Sequence, residues 1–201
     1  MGALAALRCH HPVVLTMEFV MRTVLLLFGL VLVPGAPATA AEAAGPEALA
    51  PFKRDLMGAL KAGLAESTVA GVETCHLVAP SLPAAQADRG YEVGRASDRL
   101  RNPDNTAPAW AAPTLARMFS GELAAAPRYV PTDDGRTGYV EPIRVGPPCL
   151  QCHGEELAPE VAAAIDARYP DDRARGYALG DLRGFFWIVP EETTDARGAG
   201  P

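Results

Sequence analysis

Four cysteines, four histidines and five methionines are all the soft or imidazole ligands in this 201-residue chain, and no methionine follows Met118. That scarcity closes several routes. A structural zinc site wants four Cys or His ligands, and beyond one late cysteine pair only Cys75 and His76 are at hand. Positive charge is short as well. Lys and Arg number 18 against 24 Asp and Glu, a net charge of −6, with the arginines scattered between carboxylates. Such a chain is not built to hold nucleic acid. There is no internal repeat, and no apolar run after Val33 approaches the roughly 20 residues a membrane span needs. Nothing resembles a kinase or other output domain, so the chain reads as a stand-alone module.

What is present begins with an address. Arg22 precedes an apolar run from Val24 to Val33, followed by Pro34-Gly35 and by Ala38-Thr39-Ala40. This is the charged, apolar and A-x-A order of a secretory signal peptide over residues 1–40, with cleavage expected after Ala40 and a periplasmic destination. No cysteine sits at that site, which argues against a lipid anchor. Translation could begin at Met1, Met17 or Met21. Residues 41–46 read as a disordered tether, 47–190 as one domain with a core of its own, and 191–201 as a disordered polar tail.

Cys149-Leu150-Gln151-Cys152-His153 is a C-x-x-C-H run, the attachment pattern of c-type haem. Two thiols at this spacing can add to the two vinyl groups of one porphyrin, and the next residue is close enough to give the iron an imidazole. Haem is joined this way outside the cytoplasm, so the export signal strengthens the motif. The rivals are weaker. A redox C-x-x-C should open a helix after a strand, yet Pro147-Pro148 precede this one. Cys9 would leave with the leader and two cysteines would be consumed by haem, leaving Cys75 as an odd thiol in an oxidising compartment. Read alone, Cys75 is as well explained by a core position as by ligation.

The periodicities are mixed. Leu49, Phe52, Leu56, Leu60, Leu64, Val72, Cys75 and Ala79 recur at helical spacing, which predicts one long N-terminal helix ended by Pro80 and carrying Cys75 on its buried stripe. His76 lies about 100° around that helix. Tyr91 to Ser97 predicts a strand, Asn102-Pro103-Asp104-Asn105 a turn, and Trp110 to Ala124 a second helix. Arg128 to Val130 and Gly138 to Val145 flank Asp133-Asp134-Gly135 as a hairpin. Pro159 opens a third helix with Val161, Ile165 and Tyr169 on one face. Asp181 to Val189 closes the domain as an apolar strand. Helices and antiparallel strands in separate runs predict an α+β fold. A class I cytochrome c, with its motif early and a late Met ligand, does not fit; nor does a four-helix cytochrome, which has no room for strands.

Two sets of blocks resemble one family. The first comprises Glu73 to Pro80, Val93-Gly94-Arg95-Ala96-Ser97 and Arg101 to Asn105. The second comprises Tyr139 to Val145, Cys149 to Gly154, Tyr169-Pro170, Gly176-Tyr177 and Gly180 to Gly184. Together they are similar to the small exported c-type haem proteins with a PAS-like domain, met also as extracytoplasmic sensor domains of bacterial signalling proteins. The resemblance spans about residues 47–190. It implies a PAS-like antiparallel sheet flanked by helices and a single covalent haem c on Cys149 and Cys152. It also implies axial ligation by His153 and by Cys75 from the long helix. Ala96 departs from the pattern, where Thr is expected.

Around these residues, Arg95, Arg99 and Arg101 form a basic cluster. Arg95 and Arg101 are candidates to meet haem propionates or balance a thiolate; the alternative is a solvated face paired with Asp98 and Asp104. Arg183 shares that ambiguity. His76 is the rival sixth ligand but reads as solvent-facing, and Met57 and Met118 read as core fillers. Of Trp110, Phe185, Phe186 and Trp187, one could line a porphyrin edge. A thiolate donates charge to iron and favours the ferric state, which argues against a high-potential shuttle. The expected function is a redox or small-ligand (gas) sensor. The alternative is a low-potential electron-transfer protein with an unidentified redox or signalling partner, and a haem enzyme is a third reading without a distal acid–base pair to carry it.

Overall fold

The apolar stripe that predicts one helix is divided between two. In the computed structural model, which describes residues 44–192, helix α1 spans Pro46–Glu66 and helix α2 spans Thr68–Leu77. Ser67 separates them in an extended conformation, and its Oγ accepts a hydrogen bond from the Ala70 N–H at 3.0 Å, the N-cap of α2. The chain folds back there. A Cβ placed on Gly63 would stand 2.5 Å from Thr74 Oγ1 and 3.0 Å from the Ala70 carbonyl, so residues eleven apart in sequence lie side by side. A continuous helix would put them about 16 Å apart. Cys75 therefore belongs to the second, shorter helix and not to the long first one.

Four strands follow, interleaved with helices: β1 Tyr91–Ala96, β2 Arg128–Pro131, β3 Thr137–Arg144 and β4 Leu182–Pro190. All neighbours are antiparallel, in the order β1-β4-β3-β2. The last strand does not lie at an edge; it inserts between the first and third. Asp134 and Gly135 (φ +83°) make the β2–β3 turn expected of them, with Thr132 Oγ1 donating to the Arg136 carbonyl at 2.8 Å. The remaining helices are α3 Ala84–Ala87, α4 Ala112–Phe119, α5 Leu150–His153 and α6 Pro159–Arg168. The second predicted helix is shorter than its apolar pattern because Pro113 sits in its first turn and Gly121, with φ +79°, ends it.

Register decides which side chains share a layer. Val93, Ile188 and Tyr139 form one row across β1, β4 and β3, and Arg95, Phe186 and Glu141 form the next. This face packs beneath α1, whose Leu49, Phe52 and Leu56 are buried against Val93, Tyr139, Phe186 and Ile188. The opposite face, with Val140 and Phe185, is covered by Leu115 and Met118 of α4. A third cluster joins Val72 of α2 to Val161, Ile165 and Tyr169 of α6. The result is an α+β domain, an antiparallel sheet between helices, with α2 packed between α1 and α6. Ala44 and Gly45, expected in the tether, are buried. The expected signal peptide lies outside the described residues, as do positions 41–43 and 193–201. Among the described residues no helix is long and apolar enough to cross a membrane.

Candidate functional site

Under α1, beside Phe186 of β4, the core gives way to a cavity of about 160 Å³. Leu56, Leu60 and Leu64 of α1 and Val72 of α2 supply apolar wall. The sequence-derived residues Cys75, Arg95, Arg101, Cys149, Cys152 and His153 all line it. They come from well-separated parts of the chain.

The segment bearing the cysteine pair is held rigidly. Pro147 and Pro148 open a 3-10 turn that runs directly into α5, because proline fixes φ near the helical value. Its entrance is tied by Val145 N–H to Asp181 and by Gly180 N–H to Val145, at 3.0 and 2.9 Å. Its exit is tied by Tyr177 N–H to the His153 carbonyl and by Gly176 N–H to that of Gly154, at 2.9 and 2.8 Å. Cys75, Cys149 and Cys152 are in no disulfide.

The His153 ring is fixed by a backbone partner. Its Nδ1 donates to the Ala174 carbonyl at 2.7 Å. A carbonyl can only accept, so the proton is on Nδ1 and Nε2 carries the lone pair. Metal-bound histidines commonly show this arrangement. Burial pushes its pKa down to about 3, and the positive charges of Arg101 and Arg183 act in the same direction. The ring is thus neutral across the physiological range. Tyr177 stacks edge-on against it with ring centroids 6.3 Å apart, and Arg99 lies 4.1 Å over the Tyr177 ring.

Arg101 is a clamp. Its Nε donates to Asp172 Oδ1 at 3.0 Å, and its Nη2 donates to the carbonyls of Cys152 at 2.6 Å and Ala174 at 3.3 Å. The Asp172 side chain is 2 % exposed and that of Arg101 10 %. Asp172 also accepts from Arg175 Nε at 2.7 Å and from the Ala174 N–H at 3.0 Å. One carboxylate therefore fixes the residue whose carbonyl orients His153 and the arginine that holds Cys152. Sequence reasoning offered Asp98 and Asp104 as partners; the actual partner is 71 residues from Arg101. Its neighbours Pro170-Asp171 look like ordinary turn chemistry, so no local signal marks Asp172.

The other candidates divide. Arg99 donates to the Arg173 carbonyl and faces Tyr177, away from the cavity wall. Arg183 lines the cavity but is pinned to Ser97 Oγ at 2.7 Å. The Arg95 side chain makes no hydrogen bond or ion pair to any described residue. Burial pushes its pKa down, against the opposing influence of Cys75. Burial likewise raises the Cys75 thiol, against Arg95 and then Arg101. His76 is half-buried rather than solvent-facing, its ring edge-on to Tyr169 at 5.4 Å, and it does not line the cavity. Met118 is buried between α4 and the sheet, as expected. Met57 is not a core filler: it is 37 % exposed and stands in the cavity wall. Of the aromatic candidates, Phe186 is the one in that wall.

The donor set suits a planar tetradentate macrocycle better than a bare ion. Among the described residues no group of three or more His, Cys, Asp or Glu is gathered to hold a metal. Two soft or imidazole donors, Cys75 and His153, instead share an apolar chamber with a thiol pair on its wall. Fold and site together define a PAS-like α+β domain with a cavity lined by helix and sheet residues. More particularly, the Tll0287-like family model matches residues 38–189, and the chain belongs to that family. Among solved structures it is similar to the cyanobacterial heme-protein Tll0287, at 24 % identity and a TM-score of 0.53. That match covers 75 % of this chain and 98 % of the other. The comparison with curated proteins returns no match.

Proposed function

We propose that this chain is an exported c-type haem protein, with haem joined to Cys149 and Cys152 and held between His153 and the Cys75 thiolate, and that it acts as a redox or small-ligand sensor. The observation that carries the reading is His153. It is neutral and tautomerically fixed, and its cavity is shared with Cys75 and the cysteine pair. The family's cyanobacterial member is itself a heme-protein. When bound, haem would supply a one-electron couple and a site for a diatomic ligand. The chain's residues do the rest. Leu56, Leu60 and Phe186 keep water from the ligand face. Asp172 and Arg101 keep the His153 ring in place. Cys75 Sγ, in an apolar wall, would keep a negative charge only beside a strong cation and would hold a proton where that charge is smaller. Exchange between those two states is what a sensor would need.

Intact-mass spectrometry after acid–acetone extraction of periplasmically expressed protein should show the polypeptide plus one haem. Apo mass from cells carrying the maturation machinery would end the reading. Oxidised and reduced absorption spectra then separate the roles. A coordination change on reduction supports sensing. An unchanged six-coordinate spectrum moves the assignment to low-potential electron transfer, and a high-spin resting state moves it to catalysis.

A further inference from the structure

The mouth of the cavity is marked by the lining residues that reach solvent. Met57 of α1, Arg144 at the end of β3 and Pro148 are the exposed ones, and no Asp or Glu lines the cavity. Two cations flank Met57 on α1. At about 100° per residue, Arg54 and Lys61 lie roughly 60° and 40° around the helix from Met57, one turn before it and one turn after. Both are exposed. The acids of α1 stand elsewhere: Asp55 and Glu66 roughly 160° and 180° away, and Glu47 about 15 Å back along the axis. Arg54 meets its neighbour Asp55 at 3.2 Å, between side chains 74 % and 43 % exposed, a contact that water screens. Lys61 meets no carboxylate among the described residues. Lys53, the chain's other lysine, is already matched by Glu141. Across the mouth, Arg144 gives Nη2 to the Ala125 carbonyl at 3.3 Å, which leaves its charge uncancelled. Asp181, bonded to that strand end through its carbonyl, turns its carboxylate to the Ala178 N–H at 2.8 Å. A chain of net charge −6 thus sets three cations and an exposed methionine around this opening.

We propose that this rim is the docking face for an acidic one-electron carrier protein. The proposal rests on the haem reading above and names the class of partner that sets the redox state of that site. Carboxylates of the carrier meet Arg54, Lys61 and Arg144, and Met57 supplies the apolar centre of the contact. One electron passes between the carrier and the iron and is all that the two proteins exchange. The rim prevails over the chain's overall charge because a docked carrier lies within a Debye length, about 8–10 Å, of its cations, whereas more distant carboxylates are screened. Steering of this kind raises association rates about 10- to 1,000-fold at low salt.

The test reads the surface with and without the haem. A polyglutamate peptide, titrated calorimetrically into the purified protein at low salt, should bind about tenfold more tightly to the wild type than to Lys61→Glu/Arg144→Glu. Oxidation of the reduced, desalted holoprotein by ferricyanide, an anion, should slow about tenfold as salt is raised. The net charge of −6 alone predicts the reverse. Hexaammineruthenium(III), a cation, should give the opposite slope, and the charge-reversed variant should exchange the two. Arg54→Glu/Lys61→Glu, confined to exposed positions of α1, repeats the measurements if the first variant fails to fold. Ferricyanide oxidation that quickens with salt, with peptide binding equal in wild type and variants, would overturn the proposal. Sedimentation with phosphatidylglycerol vesicles that the variants abolish, without peptide binding, would overturn it in favour of a lipid surface. Charge-dependent peptide binding by protein that carries no haem mass supports the acidic-partner face and sinks the haem reading alone.

Discussion

Replacing Asp172 by Ala should destabilise the domain out of proportion to the size of the change. The carboxylate accepts from Arg101 at 3.0 and 3.3 Å, from Arg175 at 2.7 Å and from the Ala174 N–H at 3.0 Å. Arg175 is 30 % exposed and its contact counts for little. Arg101 is different, because its guanidinium is 10 % exposed and would be left with only carbonyl partners. Removing one member of a buried pair typically costs about 3–5 kcal/mol. For a domain whose total stability is of order 5–15 kcal/mol, that is about a fifth or more. Urea unfolding with linear extrapolation measures it. The double variant Arg101→Ala/Asp172→Ala should cost less than the sum of the singles, since it leaves no charge behind. Loss of the Ala174 anchor should also loosen His153 and broaden the holoprotein's low-spin resonance. A cost below about 1 kcal/mol, with that resonance intact, would refute the clamp.

Three further outcomes are expected. Cys75→Ala should abolish a thiolate signature in the ferric resonance and raise the potential while the haem stays covalently attached; His76→Ala should do neither, because its ring packs on Tyr169 outside the cavity wall. Gly63→Val should cost about 1–3 kcal/mol by overpacking against Thr74 and the Ala70 carbonyl, and Ser67→Ala about 1 kcal/mol through the lost cap of α2, both read by thermal or urea unfolding. In a haem-free Cys149→Ser/Cys152→Ser chain, His153 has its pKa lowered to about 3 from an unfolded value of 6.5. The unfolded state then binds the extra proton, so stability is fully present above about pH 6.5 and falls as pH drops toward 3. His153→Gln should flatten that part of the profile, as followed by unfolding at stepped pH.

The sequence alone determined whatever depends on neighbours along the chain. The C-x-x-C-H spacing sets Cys149, Cys152 and His153 on one short segment. Asp134-Gly135 makes its turn because glycine takes positive φ there, and Pro159 opens α6 because proline suits a first helical turn. The α+β composition follows from periods of 3.6 and 2. Tertiary structure decided the rest. An apolar stripe has the same spacing whether a helix continues or folds back, so Leu64 to Val72 could not disclose the reversal at Ser67. Only the close approach of Gly63 to Thr74 and the cap at Ser67 do so, and that reversal puts Cys75 on α2, in the cavity wall. An apolar strand pattern names no partners, so the central place of β4 was hidden, and with it the face that Arg95 shares with Phe186. Asp172 meets Arg101 across 71 residues. Ion pairs are chosen by burial and proximity in space, and a local pattern records neither.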